Sequence, residues 1–593
     1  MRRFLGALAP AAISCVMVFG ATACGEAEGG VAEPAIDSEY GKPLLGVDEG
    51  SGGKADGVDG DIGPKTAGLS PTTEVWAATR RWYETDPAAG IAWEAQSPLT
   101  WDEKYAAWVQ SLPRVESESG YTTFTLVTPW GKTLPSPFLE CAETALFLRA
   151  TFASWYKLPF YLSAGSGSGR VFYGHFGIVD ANGKGLAGYP KFASAYKDHT
   201  ALATQLSATD LAARWPRDTA LRARFLTAQQ DDANPFLGEG AYAGAYFDEI
   251  FLNKRVGHFM LRMLTNFGSM HLAGSTNTFD LRPAAIRAGD VLLERWQRRG
   301  IGHTLVVKRV APLAEGKLEI DTVYGSMPRI QPRWYDSDRS KSYFTSELTG
   351  GEGENWEGDA YASLGGGLKR WRTPVVKSGR WYNIVPARDR ESFLDGADQA
   401  AIAARPAQFD ALMGSLAPEE ERALLITRIA ESRASLEARP ASCSNRQRRE
   451  EAFSELYALN AEHFGEDAEA TDRTYRTLDD YVLAELEYAL SKTCCWNSTT
   501  PAMYQIVMAY NEQHVMNYAE GSCNEPVVFK ARANGYGVFE AFAAEIGQAD
   551  AWVDWTEDEP CAQRGVAEDT EVEHAWTSFC DVRDDLLDTR PVD

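Results

Sequence analysis

The sequence predicts an α+β domain carrying a large helical insertion, followed by an all-α domain braced by disulfides. Three observations predict it. β-type runs are interspersed with helical ones up to about Pro386, long Ala/Glu/Leu/Arg runs with apolar residues at helix spacing follow Asp389, and six of nine cysteines fall in that last part. At 593 residues, with 17 Trp, 24 Tyr and 26 Phe, the chain has length and apolar material for more than one core.

The first segment, 1–24, begins Met1-Arg2-Arg3 and continues as an apolar run from Phe4 to Gly20, the charged and hydrophobic regions of an export signal. Ala21-Thr22-Ala23-Cys24 resembles the lipobox of bacterial lipoproteins, with Ala21 where that family usually has Leu. The resemblance implies lipidation of Cys24, a membrane partner reached through that lipid anchor, and a cell-envelope location; an ordinary secretory signal is the alternative. Export in either form permits disulfides. Residues 25–71 are rich in Gly, Asp and Glu and poor in large apolar groups, the composition of a flexible spacer. A net charge of −25 opposes nucleic acid as a partner, because phosphates need a basic surface.

The α+β domain is expected over 72–389. Its opening stretch places Trp76, Trp82, Trp101, Tyr105 and Trp108 in a pattern that suits core positions of short helices. Strands are expected in TTFTLVTPW, RVFYGHFGIV, HTLVVKRV and KLEIDTVY, and helices within 187–287 at TDLAARWPRDTALRARFLTAQQ and AYFDEIFLNKRVGHFMLRMLTNF. The all-α domain, 390–593, includes PEEERALLITRIAESRASLEAR and LDDYVLAELEYALSK, both read as helices. Cys443, Cys494, Cys495, Cys523, Cys561 and Cys580 number six in an exported chain and suggest three disulfides, whose pairing the sequence leaves open. No HExxH or paired CxxC is present, so neither a metal nor another cofactor is expected.

Setting aside these six, Cys15 of the signal and Cys24 leaves Cys141, just after Pro135-Ser136-Pro137. Ala142, Ala145, Leu146, Phe152 and Ala153 recur at helix spacing, so a helix should begin at or near Cys141. A thiol in a first helical turn feels the positive end of the helix dipole, which favours thiolate.

Downstream, IRAGDVLLERWQRRGIGHTLVVKRV has a Gly289-Asp290-Val291 turn, a short strand and His303 opening the next strand. Together with a cysteine at a helix start, this resembles the papain-like NlpC/P60 and CHAP families of cysteine peptidases and amidases. The resemblance implies a papain-like domain, Cys141 as nucleophile, His303 as general base, and an amide substrate in peptides or peptidoglycan. It also implies a third residue on the strand after His303, matched by Glu319 or Asp321. The pair is 162 residues apart, so 187–287 must be inserted between them. The chemistry would be transfer of the thiol proton to imidazole, attack on the carbonyl, a thioester, and hydrolysis, with the Cys141 backbone N–H helping to hold the oxyanion. An alternative resemblance, to the transglutaminase-like fold, uses Cys141 with His175, although Asp180 follows that histidine too closely for the usual aspartate. The remaining alternative is a non-catalytic cell-surface binding lipoprotein.

Overall fold

The computed structural model describes residues 60–582, except 86–90, 118–119, 166–168, 228, 230, 299–301, 356, 415, 489–497, 516–522, 531–535 and 556–568, together with the backbone of 36–37 and 42–43. The signal, Cys24 and residues 25–59 of the expected spacer, apart from the backbone of 36–37 and 42–43, lie outside the described residues, as do Cys494, Cys495 and Cys561. The spacer was expected to run to 71, but Asp61–Lys65 is a strand paired antiparallel with Arg380–Ile384, so folded structure begins about ten residues earlier.

Helix α1 (Trp101–Ser111) starts where Thr100 caps it, its hydroxyl accepting the Glu103 N–H while the Glu103 carboxylate accepts the Thr100 N–H at 2.7 Å. Its Trp101, Tyr105 and Trp108 are buried around Phe152, as their spacing suggests. Helix α2 (Cys141–Trp155) begins at the cysteine, and Ala142 through Ser154 are all buried. It is apolar nearly all round because the insertion covers the side that the sheet does not. That insertion supplies α3 (Lys254–Asn266) and the short α4 (Ser269–Ala273), both packed against α2.

The central sheet has seven antiparallel strands: β1 (Thr278–Leu281), β2 (Val291–Glu294), β3 (His303–Pro312), β4 (Leu318–Tyr324), β5 (Arg333–Tyr335), β6 (Gly367–Trp371) and β7 (Phe393–Leu394). Their spatial order is β5-β4-β3-β2-β6-β1-β7. Both faces are covered. Val291, Leu293, Val306 and Val323 meet α1, α2 and α3 in one core, which we call the first face. Leu292, Leu305, Val307, Ile320 and Tyr324 point the other way, onto α5 (Ser337–Thr345) and α6 (Arg405–Met413) through Phe344, Phe409 and Met413. Two-sided burial is why VLL and LVV read as unbroken apolar runs. Residues 393–413 thus pack on the sheet, beyond the expected division at 389.

Helices α7 (Pro418–Ala438) and α8 (Cys443–Leu459) pair through Leu425, Ile429, Phe453 and Leu456. The segment LDDYVLAELEYALSK departs from expectation: a short helix, Leu478–Val482, gives way to a strand, Leu486–Tyr488. Buried Arg446 and Arg449 of α8 donate to the carbonyls of Asp480, Leu483 and Ala484, and Phe529 N–H to that of Val482, so the carbonyls have partners without continuing the helix. In this largely helical region Cys523 and Cys580 form a disulfide, and Cys443 is disulfide-bonded as well. No described helix is long and apolar enough to cross a membrane.

Candidate functional site

Cys141 opens α2 and is partly exposed, with its Sγ 3.8 Å from the Gly302 carbonyl oxygen. Gly302 N–H donates to Ser269 Oγ at 2.8 Å, so the starts of α2, α4 and β3 converge here. Two carboxylates flank the cysteine at the helix start. Glu140 precedes the cysteine and Glu143 follows in the first turn; buried Arg329 holds Glu143 with two bonds of 2.9 Å and lies 3.1 Å from Glu140. Nearby Asp232 is pushed up to about 6 by burial despite the Arg329 charge. One guanidinium therefore serves the carboxylates at the start of α2.

His303 is the residue after Gly302, yet its side chain leaves on the other face. Strand alternation groups His303 with Leu305 and Val307, whereas Thr304 and Val306 face α2. Its ring packs edge-on against Tyr324, centroids 5.0 Å apart, and 5.9 Å from Tyr343 of α5. Burial holds the imidazole well below its ordinary pKa, helped by the Arg448 charge, and Nε2 has no hydrogen-bond partner among the described residues. The expected pairing of Cys141 with His303 is therefore not assembled. A one-residue difference in strand parity is enough to separate them by a sheet thickness.

Glu319 and Asp321 are bound elsewhere. Both pair with Arg309, at 2.6 and 3.0 Å, and Asp321 also accepts from Trp334 Nε1 at 3.2 Å. They alternate with Ile320 and Tyr324, so they stand on the face opposite His303 and do not orient it. His175 lies beyond the far end of α2: its Nδ1 meets the Phe160 backbone and its ring packs on Trp381 and Phe176. Fifteen helical residues at about 1.5 Å each put the thiol roughly 20 Å away. Gly289-Asp290-Val291 does form the expected turn into β2, but Asp290 is structural, held by Arg370 through two 2.7 Å bonds. Another imidazole on the thiol's side of the sheet is His271 of α4, to which sequence reasoning assigned no role. Its Nδ1 accepts the Gly268 N–H at 3.1 Å, so the neutral ring carries its proton on Nε2 and is a donor there, not a base.

His303 instead borders a pocket of about 400 Å³ between the second face of the sheet and helices α7 and α8. Glu294 faces His303 across the β2–β3 ladder and lines this pocket, as do Tyr324, Tyr343, Arg448 and Glu451. Burial raises Glu294, and burial together with the Glu294 charge pushes Glu451 up to about 7. Glu294, Arg448 and Glu451 come from parts of the chain that sequence reasoning kept in separate domains. The one local signal was a carboxylate closing the buried strand VLLE. Among the described residues no cluster of His, Cys, Asp and Glu could hold a metal ion. No family model, no curated protein and no solved structure matches the chain.

Proposed function

We propose that this is an exported ligand-binding protein on a papain-like scaffold, tethered through Cys24, with its site in the pocket beside His303 and no hydrolysis at Cys141. The observation that carries the reading is the direction of His303. The histidine that the sequence pairs with the thiol turns away from it and packs on tyrosines that line a polar pocket. Buried titratable groups with displaced pKa values in a concavity are where ligands are expected to bind. With the His303 imidazole on the other face of the sheet, Cys141 then remains an ordinary thiol.

The test is alkylation of Cys141 by iodoacetamide across pH, read on the peptide that contains it. The expected midpoint is at or above about pH 8.5, the range of an unperturbed thiol, and His303→Ala leaves it unchanged. A midpoint well below that, lost in the His303 variant, overturns the reading in favour of a cysteine hydrolase of cell-wall peptides or proteins. That second reading is supported by the thiol itself, which opens a buried helix and is partly exposed at the start of a sheet strand. The thiolate would attack an amide carbon, the amine would leave with a proton, and water would release the acyl group.

A further inference from the structure

We propose that the pocket between the sheet and the α7–α8 pair binds a small organic cation, its protonated amine held between Glu294 and Glu451 with the tyrosines as walls. The inference deepens the binding reading above and rests on it.

The charge inventory points to the sign of the ligand. Five carboxylates line the pocket against three guanidinium groups. Two of the three arginines are already engaged: Arg428 lies 2.7 Å from Glu455 at the exposed rim, and Arg448 lies 3.4 Å from Glu294. Glu451 accepts a bond only from the neutral Gln447 amide, at 2.8 Å. Glu294 thus has one long ion pair and Glu451 has none among the described residues, and each stands within the other's field. A ligand ammonium between them would meet both carboxylates, whereas Arg448 reaches ion-pair distance of Glu294 alone.

The second observation is His303. It is 5% exposed, its Nε2 lacks a partner, and its ring sits against Tyr324 and Tyr343, which line the same pocket. A buried polar atom left unbonded costs stability unless something else satisfies it. A hydroxyl or carbonyl on the ligand beside its amine would do so. Faces of Tyr324 and Tyr343 add cation–π attraction to the same charge. A volume near 400 Å³ suits a molecule of amino-sugar or diamine size.

The experiment titrates the full-length protein with cadaverine, glucosamine, N-acetylglucosamine and succinate by calorimetry at pH 8. The two amines should bind at least tenfold more tightly than the neutral sugar, and succinate should not bind. Glu451→Gln and Glu294→Gln should each weaken amine binding about tenfold or more, while the far-ultraviolet spectrum and cooperative melting persist. Tighter binding of N-acetylglucosamine than of glucosamine overturns the cationic class and leaves a ligand pocket standing. Absence of binding by all four overturns both the class and the pocket reading. Amine binding that survives both glutamine variants places the cation elsewhere and also overturns the proposal.

Discussion

The two faces of the central sheet handle buried charge in opposite ways. On the first face buried ions are drawn into short ion pairs. Arg329 bridges Glu140 and Glu143, and Asp102 is surrounded by Arg149, Arg287 and Arg388, which hold its carboxyl far below the ordinary range. On the second face Glu294, Glu451 and the Nε2 of His303 are left without adequate partners around an open pocket. Matched buried charges belong to the architecture, since losing one partner exposes the other to the full desolvation cost. Unmatched ones next to a pocket are tolerated only at a loss of stability, and such losses concentrate where proteins bind or react.

The sharpest way to break this contrast is to unmatch the first face. Arg329→Met should strand two carboxylates at the start of α2 and cost about 3–5 kcal/mol, seen as a large fall in Tm. A loss under about 1 kcal/mol would mean that water already reaches those carboxylates. On the second face, Glu451→Gln should act in the reverse direction. Burial pushes Glu451 up to about 7 in the folded state, above the ordinary carboxyl value of 4.5. The native protein therefore holds more protons than the unfolded chain between those values, and stability falls as pH rises through them. Removing the titration should raise Tm by a few degrees at pH 8 and change little at pH 4. A lowered Tm at pH 8 would show the carboxylate to be matched after all.

His303 offers a smaller effect of opposite pH sign. Its folded pKa is depressed below 6.5, so the unfolded chain takes up the proton first, and stability is lost as pH drops below that value. His303→Leu should flatten this acid dependence and, by removing an unbonded buried nitrogen, leave stability at neutral pH within about 1 kcal/mol of the parent. The smallest expected effect is the most discriminating: alkylation of Cys141 should not respond to His303→Leu. A slowing of tenfold or more would place the imbalance of the second face in direct contact with the thiol.

Much of the secondary structure was legible. The start of α2 follows from the prolines before it and the apolar spacing after it, and strands at 122–127, 303–312 and 318–324 follow from β-branched and aromatic runs between turn residues. The run RVFYGHFGIV is instead a tight hairpin of two short strands, Val171–Gly174 and Gly177–Asp180, turning at His175-Phe176. The break after Leu483 was not legible, because arginines on a distant helix supply the competing donors. The candidate site was legible by residue type but not by geometry. Cys141 and Gly302 do meet, while His303 and Glu319 alternate onto opposite faces, a parity fixed by which rows of side chains α2 covers. Glu294, Arg448 and Glu451 carried no joint signal, since their 157-residue span is closed only by docking α8 on the sheet.

By itself the amino-acid sequence determined the mixed α+β class, the helical character of the C-terminal part, and a cysteine at the mouth of a buried helix, because these depend on periodicity and on proline and glycine, which act locally. Only the tertiary structure decided that the imbalance of charge lies behind the sheet and that the imidazole joins it. Side-chain direction in a strand and the summing of charges across two packed elements are properties of the assembled core, where the surroundings replace water and set which groups find partners.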